Sequence, residues 1–166
     1  MGLLFKKDNG VKVNWYKFQA IDGSLPNFKE GMCVKISLFS DHIEFDEVTL
    51  GKEKAKVSLG YDKVVDANKV TEEEIKEKEK SVLGRAVVGG LVLGPLGAIV
   101  GGTSGVGTKK KKVIKSYFVI NYKDKNDEVQ AIPLEIYDLT GFNGFLKDLR
   151  KRCNLIELPK NLTVEL

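Results

Sequence analysis

From Val11 to Tyr61 apolar and polar residues largely alternate with a period of two, the pattern of strands with one buried face. Val11-Lys-Val-Asn-Trp-Tyr-Lys-Phe18 is the first such run, with Val11, Val13 and Trp15 on one face. The turn-rich stretch Asp22 to Asn27 interrupts it, because glycine, proline and asparagine favour turns over ladders. Cys33 to Phe39 then places Val34, Ile36 and Leu38 inward, and Ser40-Asp41 turns the chain into His42 to Asp46, with Ile43 and Phe45 inward. Lys54 to Tyr61 brings Ala55, Val57, Leu59 and Tyr61 together, and Val64-Val65 starts a further strand toward Val70.

At Thr71 the pattern changes. Thr71-Glu-Glu-Glu74 reads as a capping box, in which the threonine oxygen and the Glu74 carboxylate satisfy each other's backbone amides. The helix it opens has only Ile75, Val82 and Leu83 as an apolar stripe, so it is expected to be largely solvated. Val113 to Tyr122 gives the strongest strand signal, with Ile114, Phe118, Ile120 and Tyr122 on one face. Asp124 to Asp127 turns it back into Val129 to Ile136, where Pro133 predicts an edge or a bulge. Leu139, Phe142, Phe145, Leu146, Leu149 and Cys153 recur at helical spacing. Gly141 and Gly144 are expected to weaken that helix by up to ~1 kcal/mol each, so packing on the sheet must hold it. Its basic end, Lys147 to Arg152, suits the helix dipole and is read as structural.

The tally is a mainly β chain: about seven short strands in a strongly bent antiparallel sheet or barrel, closed by a C-terminal amphipathic helix. Leu25-Pro26, Val34 to Phe45, Tyr61-Asp-Lys-Val-Val-Asp66, the acidic helix, Gly94-Pro-Leu-Gly-Ala-Ile-Val-Gly-Gly102 and Tyr117 to Tyr122 follow in order. This order resembles small bacterial proteins with a pleckstrin-homology-like (PH-like) domain that carry a glycine-rich hydrophobic insertion before the sixth strand. The resemblance spans roughly residues 25–153 and implies a PH-like fold and a binding-module role. It brings no catalytic residues with it. The expected organisation is an N-terminal strand and turn over 1–30 and a PH-like domain over 31–154. The domain is interrupted by the acidic helix 71–84 and the insertion 85–112, and a tail, 155–166, follows.

Charge and composition sharpen this picture. Lys plus Arg number 27 against 23 acids, and the net +4 disappears when Lys109, Lys110, Lys111 and Lys112 are set aside. The basicity is local, which argues against a broad nucleic-acid face. Four lysines near Tyr117 and Phe118 remain a weak nucleic-acid signal, ranked third. His42 is the only histidine, Cys33 and Cys153 the only cysteines, and no metal-ligand spacing occurs, so no zinc or other cofactor is expected. The two cysteines read as free thiols of a reducing, cytoplasmic compartment. Gly102 to Lys109 carries Thr and Lys in the reverse of the phosphate-loop order, which breaks that chemistry. The apolar part of Met1-Gly-Leu-Leu-Phe-Lys-Lys7 is too short for a signal peptide, and Gly2 lacks the Ser or Thr of a myristoylation signal. An enzyme is not expected.

The unusual segment is Ala86 to Thr108: 23 uncharged residues, eight of them glycine, with Arg85 before and Lys109 to Lys112 after. Ala86, Gly90, Gly94, Ala98 and Gly102 fall on a four-residue spacing, and Gly97, Gly101 and Gly105 form a second register. Such small-xxx-small ladders let helix backbones approach closely where lipid supplies no hydrophobic drive. A single crossing would part strands that should share one sheet. A bend at Gly94-Pro95 instead gives two arms of eight or nine residues, each ~13 Å long as helix, able to dip into one leaflet or to pack on a neighbouring subunit. The lysines would then meet anionic headgroups at about 1 kcal/mol each. The alternative is a loop folded over the domain's own apolar surface.

The sequence thus points to a binding module attached to the inner face of a membrane through anionic lipid. The alternative is a soluble homo-oligomeric structural protein whose glycine ladder is the subunit interface. The PH-like domain would add a peptide, protein or lipid ligand.

Overall fold

A computed structural model describes residues 6–8, 11–21, 25–48, 55–79, 87–88, 91–92 and 114–155. The strands are β1 (Lys6–Asp8), β2 (Val11–Ala20), β3 (Cys33–Leu38), β4 (His42–Glu47), β5 (Lys56–Gly60) and β6 (Val64–Thr71). They are followed by β7 (Val87–Val88), β8 (Leu91–Val92), β9 (Ser116–Lys123) and β10 (Val129–Ile136). Two helices, α1 (Glu72–Glu79) and α2 (Phe142–Arg152), complete the described fold.

The main sheet runs β5-β4-β3-β2-β10-β9-β6, all antiparallel, with β1 added to β2. This is the expected bent sheet closed by a C-terminal helix. β2 is its joint: it pairs along β3, carries β1 at Val11–Val13 and meets β10 only at Gln19 and Ala20. β2 is thus the central strand of the seven-strand path.

Inward residues follow the alternation in β3 and β4, where Val34, Ile36, Leu38, Ile43 and Phe45 are fully buried. In β2 the core face is Tyr16, Phe18 and Ala20, while Trp15 is half-buried on the other face beneath the Lys17 ammonium, 5.8 Å from its ring. Both faces of β2 carry apolar residues, so periodicity alone does not choose between them. β6 needs a bulge between Val64 and Asp66, because Val64 and Ala67 both face the core although three residues apart.

The core is aromatic. Phe18 stacks on Phe118 at 5.0 Å, and Phe142 and Phe145 of α2 meet it at 6.1 and 5.7 Å. Burying such rings, offset or edge-on, adds to the area term. Tyr16 joins this cluster and donates its hydroxyl hydrogen to the carbonyls of Asp138 and Thr140, tying the segment before α2 to the sheet. The basic end of α2 has structural partners, as its sequence suggested. Arg150 donates to the Ala67 carbonyl (2.8 Å) and to Asn68 (3.0 Å), and Arg152 to the Phe39 carbonyl (2.8 Å).

Three expectations are corrected. Gly141 is the residue before α2 and has φ 78°, a left-handed conformation glycine adopts without cost, so it starts the helix instead of weakening it. Leu139 and Ile114 are exposed and lie outside α2 and β9, so neither belongs to the faces assigned to them. Pro133 sits in an interior strand, paired with Val119 on β9. Only Leu134 and Glu135 of β10 pair with β2, so Pro133 has no ladder partner on that side.

Candidate binding surfaces at the insertion root and a strand edge

Every small residue singled out in the insertion (Ala86, Gly90, Gly94, Gly97, Ala98, Gly101, Gly102 and Gly105) lies outside the described residues, as do Lys109 to Lys112. Val82 and Leu83 of the proposed α1 stripe do as well. What the structure does describe is the root from which the insertion leaves. Thr71 pairs with Ser116, and the Glu72 amide donates to the Lys115 carbonyl at 3.0 Å. Lys115 in turn reaches Glu135 at 3.0 Å. Residues 72 and 115 are thus side by side, and everything between them departs from and returns to one end of one sheet. A single membrane crossing by this segment is incompatible with that pairing.

The capping box at Thr71 is formed. The Thr71 amide donates to the Glu74 carboxylate at 2.7 Å, and the Glu74 amide to Thr71 Oγ1 at 3.3 Å. It aims α1 across the outer face of the sheet, where Ile75 is fully buried among Ile21, Val70, Tyr117 and Val119. Glu73 and Glu74 stay exposed, in keeping with a helix of one thin apolar stripe. Tyr117 is pushed up to about 12 by burial, with Glu135 and Glu72 adding to the shift. This second cluster was not foreseen. Its signal was present in β9, where apolar residues occupy both alternations from Tyr117 to Ile120, the mark of a strand covered on both faces.

Within the insertion, β7 and β8 pair with each other through Val87↔Val92 and Val88↔Leu91. β7 lies beside α1 and β8 beside β10. Gly89-Gly90 between the paired residues is a dipeptide suited to a two-residue hairpin loop, and the flanking valines favour strands. In the sequence, the four-residue spacing of small residues continues beyond β8 through Gly94, Ala98 and Gly102, with Gly97, Gly101 and Gly105 beside it.

Elsewhere the chemistry is quiet. His42 begins β4, stacks on Phe39 at 4.8 Å and faces the Asp41 carboxylate at 2.8 Å. That hydrogen bond is the main cause holding the Asp41 carboxyl below its ordinary range. Cys33 and Cys153 are free thiols, and burial pushes Cys153 up to about 12, which leaves little thiolate for reaction. Among the described residues no cluster suited to a metal occurs, and no helix is long and apolar enough to cross a membrane.

The two ends of the main sheet are β5 and β6. An open groove of about 580 Å³ runs between β5, the short turn after it and the β9–β10 turn, with Ser58, Gly60, Lys63, Tyr122, Lys123 and Lys125 on its walls. The β9–β10 turn is held by Asp124, whose carboxylate accepts from the amides of Asn126 (2.7 Å) and Glu128 (3.1 Å) and from Gln130 (3.3 Å). The first of these is the largest cause of the lowered Asp124 pKa.

No curated protein and no solved structure matches the chain. The family model described as a glycine zipper containing PH domain matches residues 32–135, from the start of β3 almost to the end of β10. The seven-strand antiparallel sheet and its closing helix are consistent with a PH-like fold. Since the match covers more than half of the 166 residues, the chain belongs to the family of PH domains that contain a glycine zipper.

Proposed function

We propose that the protein is a non-enzymatic adaptor in which the PH-like barrel is the binding module and the insertion attaches it to an anionic membrane or to copies of itself. One observation carries the reading. The insertion leaves and rejoins the sheet at the Thr71–Ser116 pair, so the uncharged stretch that follows β8 can reach a partner without disturbing the sheet. Four consecutive lysines, Lys109 to Lys112, follow that run, as expected of a segment that meets a headgroup layer. β7 and β8 lie against α1 and β10, so attachment is assigned to residues 94–112.

Flotation with phosphatidylserine-containing vesicles tests this. The wild type rises with the vesicles and a variant lacking residues 86–108 stays behind; wild type remaining at the bottom rejects the membrane role.

A second reading is favoured by the small-residue spacing of the insertion, Ala86 to Gly105: a soluble homo-oligomer held by that ladder. It requires a concentration-dependent assembly in detergent-free buffer that Ala98→Leu with Gly101→Leu disperses. A sharp monomer by light scattering at high concentration rejects it.

A further inference from the structure

We propose that the free edge of β5 and the lysine-lined groove beside it form a docking site for an extended acidic peptide, which adds to the sheet as a further strand. The proposal rests on reading the domain as a binding module but is independent of what the glycine-rich insertion attaches to.

The phase of β5 follows from one hydrogen bond. The Glu47 amide donates to the Ala55 carbonyl at 3.0 Å, so Ala55 turns its backbone groups toward β4. Backbone direction alternates along an antiparallel strand. Val57 and Leu59 therefore also face β4, and Lys56, Ser58 and Gly60 turn their N–H and C=O groups away from the sheet. β5 has no strand partner on that side among the described residues. Exposed edges are usually blunted, and β6, at the other end of the sheet, shows how. It carries a bulge between Val64 and Asp66, and Arg150 occupies its Ala67 carbonyl at 2.8 Å. β5 has neither device.

The groove states what kind of strand fits. Lys63, Lys123 and Lys125 line the groove together with Ser58 and Gly60 of β5. Lys123 is paired with Asp127 at 3.2 Å. Lys63 and Lys125 have no carboxylate partner among the described residues. Among the described lining residues the one acid, Asp124, has its carboxylate engaged by three hydrogen bonds that close its own turn. An anionic occupant is thus attracted, and the outward amides of Ser58 and Gly60 ask for an extended backbone. Strand addition draws affinity from main-chain hydrogen bonds and specificity from alternate side chains. At ~3.3 Å per residue, Lys56 to Gly60 is long enough to pair with four or five peptide residues, whose every second side chain points at the lysines.

The test is an NMR titration of the isotope-labelled full chain with a capped octapeptide alternating glutamate and valine. Amide shifts should concentrate at Ser58 and Gly60, and the lysine–valine counterpart should produce none. Ser58→Pro removes an outward N–H while sparing the β4 ladder, and should weaken binding at least tenfold; Lys63→Glu with Lys125→Glu should do the same. Circular dichroism and Tm report whether Ser58→Pro folds. If it does not, the shift map of the wild type and the charge-reversed variant decide. Shifts that avoid β5, a folded Ser58→Pro that binds as the wild type does, or no binding of the acidic octapeptide at millimolar concentration each overturn the proposal. So does equal binding of inositol hexakisphosphate to the wild type and Ser58→Pro with full displacement of the peptide, since that identifies a simple anion site. None of these readings depends on vesicle flotation, so the two proposals fail separately.

Discussion

Phe118 and Tyr117 are neighbours on β9, yet the surfaces that bury them have different origins. Phe118 faces a large aromatic cluster that draws on β2, β9, β10 and α2 and is sealed by the helix. Tyr117 faces a cluster of five buried residues, which exists because α1 folds Ile75 over the outer face of the sheet. The first cluster is the barrel's own. The second belongs to the root of the insertion. A PH-like barrel could leave its outer face to solvent, as antiparallel sheets commonly do; here that face is used to fix where the insertion departs.

The difference predicts unequal responses. Phe18→Ala opens the large cluster and should cost about 3–5 kcal/mol of stability, measured by urea unfolding. Ile75→Ala should cost less, near 2 kcal/mol, because fewer neighbours lose contact. It should accelerate amide exchange at Tyr117 and Val119 while leaving that of Phe18 protected. A loss from Ile75→Ala as large as that from Phe18→Ala would erase the distinction between the clusters.

The two regions should also share a weakness at alkaline pH. Tyr61, packed against the large cluster, and Tyr117, in the small one, are each pushed up to about 12 mainly by burial. Their neutral forms are favoured by the fold, so stability is unaffected below pH 10 and falls between pH 10 and 12, as the unfolded chain ionises first. Cys153, raised from 9.0 to about 12, extends the decline down to pH 9. Urea unfolding across this range should show Tyr61→Phe and Tyr117→Phe each flattening part of the fall; a flat wild-type profile rejects the assignment.

The smallest effects separate two glycines of the closing helix. Gly144→Ala meets nothing within 4 Å and should stabilise by about 0.5–1 kcal/mol through helix propensity. Gly141→Ala at φ 78° should destabilise by about 1–2 kcal/mol, since an L side chain in the left-handed region meets its own carbonyl. Thermal melting of the two variants checks the opposite signs.

Much of this was readable along the chain. Alternation marked β3 to β5 and their inward residues, the Thr71–Glu74 spacing marked the start of α1, and Phe142, Phe145 and Leu149 marked the buried face of α2. The failures share a cause. Trp15 and Phe18 occupy opposite faces of a strand that is apolar on both, and Pro133 can lie inside the sheet because β10 meets β2 over only two residues. The β5 edge likewise depends on which described strands lie beside it, which composition cannot express.

The sequence by itself determined the periodicities, the caps, the turns and the presence of a small-residue, charge-free insertion, because each is set by residues within a turn or two of one another. Tertiary structure alone decided which face of β2 is the core, that Ile75 anchors the insertion's root on the outside of β9, and that the insertion starts and ends at one place. Those outcomes depend on which surfaces meet across large separations in the chain, and burial rewards the meeting surface irrespective of local pattern.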